Sequence, residues 1–396
     1  MKTKRIIASD FLTTMMSSAL TIYIYWFAYQ YFSSQLIISI IGFGQLSGVF
    51  LSSLGGGISD SMNKLFFIKT LNFFKVGLLF MVLILENVVN MEILLPLFMF
   101  ASTVIGGLQS PTLESLVPFL ASSDEALFRI NAVVSSSTQV ASIMAIVLSA
   151  VYISFLSFVT IVFVTLFITA IATILLVGLT VETPLKSTSV VNNMKHGASY
   201  IFKTPYIRNL IPVALVMNFS FWSIFLLLPK IANDSFSFLK TSYSGMELSF
   251  ALGAGLGGIL FAKFFYDVKD KYRLFKRSLF SQSYVLLLLG IVLLIPNSVL
   301  AYTGMLLCWF LYALINTIFS ILYFGKIQLN VPREMIGSVF GAILTLFSLV
   351  NPIAAIMSGV LVSHFKIPLL IILLSSLMLL AAWSIRFLAD VETVFD

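Results

Sequence analysis

The sequence predicts an all-α integral membrane protein with 12 transmembrane helices in two pseudo-symmetric six-helix halves. Three observations lead to this fold class. First, 59% of the 396 residues are hydrophobic and only 10% are charged, a composition that excludes an ordinary soluble domain. Second, the apolar runs reach the roughly 20 residues that a helical span needs, and they lack the alternation of a membrane barrel. Third, one polar segment separates six such runs from six more.

The apolar runs define the expected spans in order. The first run follows Lys2, Lys4 and Arg5 and continues to about Phe32 without a small-residue cleavage site, so we interpret it as a retained span and not as a signal peptide. The runs lie at about 6–32, 36–59, 65–86, 93–118, 128–153 and 155–180, and then at 206–232, 243–266, 275–296, 299–325, 335–363 and 367–388.

The segment 181–205 is the longest polar stretch between two apolar runs. Within it, Val190, Met194, Ala198 and Phe202 recur at four-residue spacing, which predicts an amphipathic helix on the inner leaflet. The expected organisation is therefore an N-terminal half at 1–180, a cytoplasmic linker at 181–205 and a C-terminal half at 206–396.

The basic residues follow this topology. The net charge is +7, and only Lys230, Lys240 and Lys366 of the 23 lysines and arginines fall in segments expected outside the cell. This asymmetry predicts that both termini lie in the cytoplasm. Because the membrane topology accounts for the positive charge, this charge does not indicate nucleic-acid binding.

An internal repeat supports the division into halves. At an offset of about 207 positions, Gly48 falls on Gly255 and Asp60 falls on Asp267. The second and eighth runs are both rich in glycine, and each ends at a charged turn. We expect the glycines to form faces without side chains, where another helix approaches closely.

Asp60 stands where the second run ends, and a helix C-terminus disfavours an anion, so we expect a donor or cation from another helix to hold it. The sequence around it, GISDSMNK, resembles the loop signature G-x-x-x-D-R-x-G-R/K between the second and third helices of major facilitator superfamily transporters. Asp60 and Lys64 match the signature, whereas Ser61 and Asn63 replace its Arg and inner Gly. The resemblance implies a conformational latch formed by Asp60 and Lys64.

Two further stretches extend the resemblance. Residues 111–131 are similar to the end of the fourth helix and the next loop in drug exporters of this superfamily, and residues 331–359 are similar to the corresponding part of the second half. Together they resemble the macrolide-efflux branch of bacterial drug exporters. This implies the major facilitator fold in a bacterial cell membrane, and export of hydrophobic or amphiphilic compounds by proton antiport with alternating access. The fifth span lacks the G-P motif of many antiporters.

Ionisable residues inside a span cost about 2.5 to 3.5 kcal/mol on insertion scales, so each one needs an explanation. Asp10, Glu114, Glu247 and Lys75 are therefore our candidates for proton coupling. A carboxylate that faces a water-filled cavity can take up a proton on one side of the membrane and release it on the other.

Each of these residues also has a structural alternative. Asp10 could simply pair with Arg5 or with a neighbouring helix near the surface, and Lys75 could pair with a carboxylate. Glu247 could be interfacial, paired with Lys240 or Lys230. Glu114 could accept hydrogen bonds from backbone donors freed by the preceding Pro111.

A cavity for an amphiphilic molecule should be aromatic and apolar with a few polar groups. Packing within the protein or interfacial belts are the alternatives for any one aromatic residue, because the chain has 38 Phe, 14 Tyr and 4 Trp. The candidates are Tyr23, Trp26 and Gln30 in the first span, Asn218 and Trp222 in the seventh, and Tyr312 and Asn316 in the tenth.

Other functions find little support in the sequence. With two histidines and one cysteine, Cys308, a metal centre or a histidine-based enzyme is not expected, and no nucleotide-binding glycine loop occurs. We expect no enzymatic activity, no cofactor and no metal. The expected partners of the protein, a monomer, are a small amphiphilic substrate, protons and lipid. A same-fold transporter of a peptide or lipid, and a non-transporting receptor or permease subunit, remain as alternatives.

Overall fold

The computed structural model describes residues 2–52, 63–120, 124–181, 198–265, 268–331 and 336–388. Regular secondary structure in these ranges is helical. The chain divides into unit 1, Met1–Ser33 with Ile40–Asn193, and unit 2, Ser34–Ser39 with Met194–Asp396. The two units are described separately below.

Six long helices make up most of the described part of unit 1, although the first residues of α2 belong to unit 2. A short 3₁₀ turn, Val117–Leu120, follows the fourth helix. The helices are α1 (Lys2–Phe32), α2 (Gln35–Ser52), α3 (Lys64–Leu85), α4 (Met91–Leu116), α5 (Asp124–Phe155) and α6 (Phe158–Ile174).

The described part of unit 2 contains eight helices with two short distorted segments, besides the first residues of α2 and a helical stretch at 198–203. A π-helical turn at Phe261–Phe265 and a 3₁₀ turn at Ile385–Phe387 extend two of them. The helices are α7 (Pro205–Phe225), α8 (Leu228–Ser235), α9 (Ser242–Leu260), α10 (Lys271–Val292), α11 (Ser298–Asn330), α12 (Ile336–Ser348), α13 (Asn351–His364) and α14 (Ile367–Ser384).

These helices match the twelve predicted spans. Among the described residues, eight helical segments are long and apolar enough to cross a membrane, and three shorter apolar helices cover 35–48, 140–155 and 158–174. The remaining span is α10, whose first turns are basic and whose later part is apolar. Helices α7 and α8 together form the seventh span, and residues 345–364, mostly α13, form the eleventh.

The order of helix packing repeats between the units. In unit 1, α1 packs on α5 and α6, while α3 packs on α4 and α6. In unit 2, α7 of the seventh span packs on α13 and α14, which belong to the eleventh and twelfth spans. There α10, the ninth span, packs on α11 and α14, the tenth and twelfth spans. Adding six to the number of each span in unit 1 therefore gives the packing partners found in unit 2, which supports the internal repeat.

The packed glycines show which residues of the two halves correspond to each other in this repeat. A Cβ on Gly44 would lie 2.5 Å from the Pro96 carbonyl oxygen of α4, and one on Gly257 would lie 2.5 Å from the Leu314 carbonyl oxygen of α11. Gly48 is similarly close to α4, and Gly253 to α11. These backbone contacts confirm the expected close approach of helices.

In α9, the predicted register of the repeat was wrong by two residues. Gly255, which the sequence repeat aligned with Gly48, faces open space and has no atom within 4 Å of a built Cβ. Gly48 corresponds instead to Gly257 by its packing role, and Gly44 corresponds to Gly253. Glycines are frequent enough in both helices that sequence alone did not distinguish the packed ones.

Side-chain donors cap the C-terminal end of α6. Arg5 donates from Nε to the Leu175 carbonyl at 2.8 Å and from Nη2 to the Val177 carbonyl at 3.1 Å. Lys69 Nζ donates to the Leu179 carbonyl at 2.6 Å, and Lys2 and Asn63 donate to Thr180 and Val181. Cations here satisfy free carbonyls and complement the negative end of the helix dipole. Some of the basic residues that gave the topology signal thus also hold unit 1 together.

Candidate functional site

Unit 2 contains a cavity of about 330 Å³ between α7, α10, α11 and the α12–α13 break. The break follows from the sequence, because Pro352 lacks an N–H donor and stands at the first turn of α13. The aromatic residues of the wall are Phe221, Trp222, Phe275, Tyr312, Phe319, Tyr323, Phe324 and Phe347.

Two aromatic stacks form much of this wall. Phe221 and Tyr312 have ring centroids 5.5 Å apart and planes 12° apart, and Trp309 extends the stack behind them. In the second stack, Phe319 lies 5.1 Å from the ring of Phe275 and 6.1 Å from that of Tyr323. Both stacks therefore contribute apolar ring surface to the cavity wall.

The polar part of the lining is uncharged: no Asp, Glu, Lys, Arg or His is among the described residues that line this cavity. Asn218 donates to the Ala214 carbonyl of its own helix at 2.9 Å. The polar lining residues are Asn218, Gln282, Asn316, Ser320, Ser348 and Asn351.

Three lining side chains have a buried polar atom without a partner among the described residues. They are Gln282 through Nε2, Tyr323 through its hydroxyl and Asn351 through Oδ1. Their exposed fractions are 1%, 5% and 5%. Since buried polar groups are normally hydrogen-bonded, a ligand or water that reaches these atoms from the cavity would complete their hydrogen bonding.

The structure brings four of the seven predicted cavity residues together: Asn218, Trp222, Tyr312 and Asn316 all line this cavity. The lining residues Gln282 and Asn351 were not predicted. Gln282 is a polar residue inside an apolar stretch and Asn351 precedes a proline within a run, so both were visible in the sequence.

The three candidates on the first span lie in unit 1. Tyr23 is buried and its ring lies 5.7 Å from Trp26 and 5.8 Å from Phe27. Gln30 is exposed near the end of α1. A role for these three residues in substrate binding stays a prediction.

Unit 1 contains a charged pair inside the membrane-spanning helices. Asp10 on α1 is half-buried and Lys75 on α3 is buried; their opposite charges are close enough to interact electrostatically, but these two described side chains form no direct ion pair. Arg5, the alternative partner of Asp10, donates to α6-end carbonyls. Next to the pair, Asn72 Nδ2 donates to Ser9 Oγ at 3.3 Å. Asp10 therefore supplies an opposite charge that acts on Lys75 without a direct ion pair.

Lys75 also borders a small cavity of about 10 Å³. This volume is about enough for one water molecule, which needs two to four polar partners. The hydroxyl-bearing residues Ser17, Thr21, Ser102 and Thr165 line the same space. The arrangement can place a water next to the ammonium group.

Unit 2 contains another of the candidate proton-coupling residues, Glu247 on α9. Glu247 is hydrogen-bonded to the Tyr243 side chain, while its Oε1 is buried without a partner among the described residues. Lys230, one of its expected partners, forms an ion pair with Asp234 at 2.6 Å. The ion pair that the structure shows for Lys230 is thus with Asp234 on its own helix.

Asp60 lies outside the described residues, in the gap after residue 52, and of Glu114 the structure describes only its position in α4 and not its side chain. Lys64 is buried at the start of α3, where the Asn63 side chain caps the helix. The conformational latch of Asp60 and Lys64 stays a prediction.

Comparison with known proteins identifies the fold family. A sequence model described as Major Facilitator Superfamily matches residues 122–355, more than half of the chain. The chain belongs to the major facilitator superfamily. Membership confirms the predicted fold class of twelve helices and makes the protein a multi-pass membrane transporter. No curated protein sequence matches the chain.

Solved structures of major facilitator transporters are similar over nearly the whole chain. The nucleoside transporter NupG is 12% identical, with a TM-score of 0.75 and coverage of 98% of this chain and 99% of that one. PepTSo, a POT family transporter, is 13% identical, with a TM-score of 0.77 and coverage of 100% and 99%. A POT family transporter in complex with 5-aminolevulinic acid is 13% identical, with a TM-score of 0.71 and coverage of 98% and 96%. At these identities the likeness concerns the fold.

Proposed function

We propose that this transporter exports hydrophobic or amphiphilic compounds, of the macrolide or multidrug type, by proton antiport. The observation that carries the proposal is the cavity of unit 2, which combines eight aromatic residues with neutral polar ones and no charged side chain among its described lining. Such a lining suits a molecule with a large apolar surface and a few uncharged polar groups.

The coupling ion is a proton, and Asp10 carries it. The carboxylate of Asp10 is half-buried in a span, where ionisable groups usually serve transport, and Lys75 neighbours it. Neutralising Asp10 by a proton would remove its attraction to Lys75. Such a change can bias the helices that carry the two residues between alternative arrangements. Glu114 is the second candidate for this role.

Export, and not uptake, rests on the resemblance of residues 111–131 and 331–359 to drug exporters. We place the protein in a bacterial cell membrane as a monomer with both termini in the cytoplasm. The transporters named above for nucleosides and for the POT family share only the fold with this chain, so their named substrates do not transfer to it.

Transport of a peptide or a lipid on the same fold is the closest alternative. A peptide carries a charged amino and a charged carboxyl terminus, and the described lining of the unit 2 cavity offers no opposite charge to either. A receptor or a permease subunit would need no proton-coupling carboxylate, whereas Asp10 occupies a membrane-spanning helix at considerable energetic cost.

A susceptibility screen tests the proposed function directly. A strain that lacks this gene, and the same strain complemented with it, would be exposed to macrolides, lipophilic dyes, detergents and peptides. We expect the deletion to increase sensitivity to at least one uncharged or amphiphilic compound, and complementation to restore resistance. Unchanged susceptibility to the whole panel would contradict export, and a change for peptides alone would favour the alternative.

A further inference from the structure

We propose that, within the multidrug range of substrates, the unit 2 cavity binds uncharged, planar aromatic compounds that carry a carbonyl acceptor and an N–H donor most tightly, with Gln282 donating to the carbonyl and Asn351 accepting from the N–H. The inference rests on the proposed function in one respect: it takes this cavity as the place where substrate binds. It goes further by assigning the substrate chemistry and the two residues that determine specificity.

The polar contacts follow from the unpartnered atoms. Gln282 Nε2 is a donor and Asn351 Oδ1 is an acceptor, and neither has a partner among the described residues. The two residues stand on different helices, α10 and α13, and both line the cavity. A ligand that satisfies both must therefore offer one acceptor and one donor. A purely apolar molecule would leave both groups buried and unpaired, which is costly.

The planar shape follows from the walls. Tyr312 and Phe221 lie within 12° of parallel on one stack, and Phe319 and Tyr323 lie within 10° of parallel on the other. All four residues line the cavity. Flat aromatic faces favour a flat aromatic guest over a flexible chain, because offset stacking adds to simple burial.

The absence of charge on the ligand follows from the lining. No acidic or basic side chain among the described lining residues can pair with a charged group, and an unpaired ion in such a site is strongly disfavoured. Tyr323, whose hydroxyl is also buried and unpartnered among the described residues, provides one more neutral group that can donate or accept. Neutral carbonyl and N–H groups match this set, whereas carboxylates and ammonium groups do not.

Acridone and 10-methylacridone are suitable probes, because they share a flat three-ring carbonyl skeleton and only acridone has an N–H. Binding of each would be measured by fluorescence titration of the purified full-length protein in detergent, without any ion gradient. We expect acridone to bind wild type about tenfold more tightly than its methyl derivative, the loss typical of one unpaired buried hydrogen-bonding group.

Two variants assign the contacts. Asn351→Leu should weaken acridone binding about tenfold and change 10-methylacridone binding by less than about twofold, because only acridone uses the Asn351 acceptor. Gln282→Met should weaken both probes, because both have the carbonyl. Asn87→Leu, at an exposed turn after α3 in unit 1, is the matched control and should change neither probe.

Equal affinity of the two probes for wild type, or no binding of either, would overturn the proposal. So would an equal loss for both probes in Asn351→Leu, or no loss in Gln282→Met. Because binding needs neither a gradient nor a direction of transport, this test is independent of export. If drug export occurs without this pattern, only the specificity assignment fails; if the pattern occurs without export, only the proposed function fails.

Discussion

The Asp10 carboxylate on α1 lies within electrostatic range of the Lys75 ammonium on α3 without forming a direct ion pair, and Lys75 is only 6% exposed. Removing one partner leaves the other charge in a poorly hydrated place, whereas removing both leaves neutral groups. We therefore expect Lys75→Gln to lower the free energy of unfolding by about 1 to 3 kcal/mol and the double variant with Asp10→Asn to recover part of this loss.

Thermal unfolding of the purified protein, followed by tryptophan fluorescence, would measure the effect in a double-mutant cycle. Lys366→Gln, at the exposed start of α14, serves as the control. Additive losses in the double variant would show that the two groups do not interact energetically.

The contact of α9 with α11 depends on the absence of side chains at Gly253 and Gly257. Gly253 abuts the Phe310 carbonyl of α11, so Gly253→Ala should lower the free energy of unfolding by about 1 to 3 kcal/mol through overpacking. Gly255→Ala, on the same helix but facing open space, should be neutral or stabilising by up to about 1 kcal/mol. Thermal unfolding of both variants measures the difference, and equal behaviour of the pair would contradict the packing register.

The sequence was sufficient to predict the membrane-spanning helices, because apolar runs of membrane length are unambiguous in a chain of this composition. It was insufficient where a helix breaks: the run 335–363 was expected to be one helix, and the structure interrupts it between Ser348 and Asn351. The missed break has a local cause, since a proline follows Asn351 and helices tend to end before such a position.

The residues that line the cavity were also predicted only in part. Asn218 and Asn316 are conspicuous as amides within apolar runs, and both line the cavity. Which face of a helix meets its neighbour depends on rotation about the helix axis, and periodicity is weak when lipid and protein neighbours are equally apolar. Tyr23 and Asn218 were therefore equally good candidates from sequence, although only Asn218 lines the cavity of unit 2.

The topology stays a prediction that reporter fusions can test. We expect a cytoplasm-active fluorescent reporter to be active, and an export-dependent phosphatase inactive, when fused at the N-terminus, at the C-terminus or within 181–205. The physical reason is the cytoplasmic excess of lysine and arginine over the loops that contain Lys230, Lys240 and Lys366. A fusion in the Lys240 loop is the control with the opposite expectation. Phosphatase activity at any of the first three positions would contradict the charge argument.

The uncharged lining of the cavity predicts a change of selectivity when a charge is introduced. Asn316→Asp should lower transport of neutral substrates by about tenfold or more, because the new carboxylate must be desolvated when they bind, and should favour lipophilic cations. Asn297→Asp is the control, because Asn297 lies outside the cavity and caps the exposed start of α11. Efflux of a neutral and a cationic dye from cells would be compared. Unchanged selectivity of Asn316→Asp would contradict substrate binding at this cavity.

Proton coupling through a carboxylate of unit 1 is the central claim, and efflux from vesicles with an imposed pH gradient tests it most directly. Wild type, Asp10→Asn, Glu114→Gln and the double variant would be compared with the same substrate, with and without the gradient. We predict that the gradient accelerates efflux by wild type, and that the double variant loses this acceleration while it still binds substrate. Gradient-driven efflux at the normal rate in the double variant would contradict the account and direct the search for coupling to Glu247.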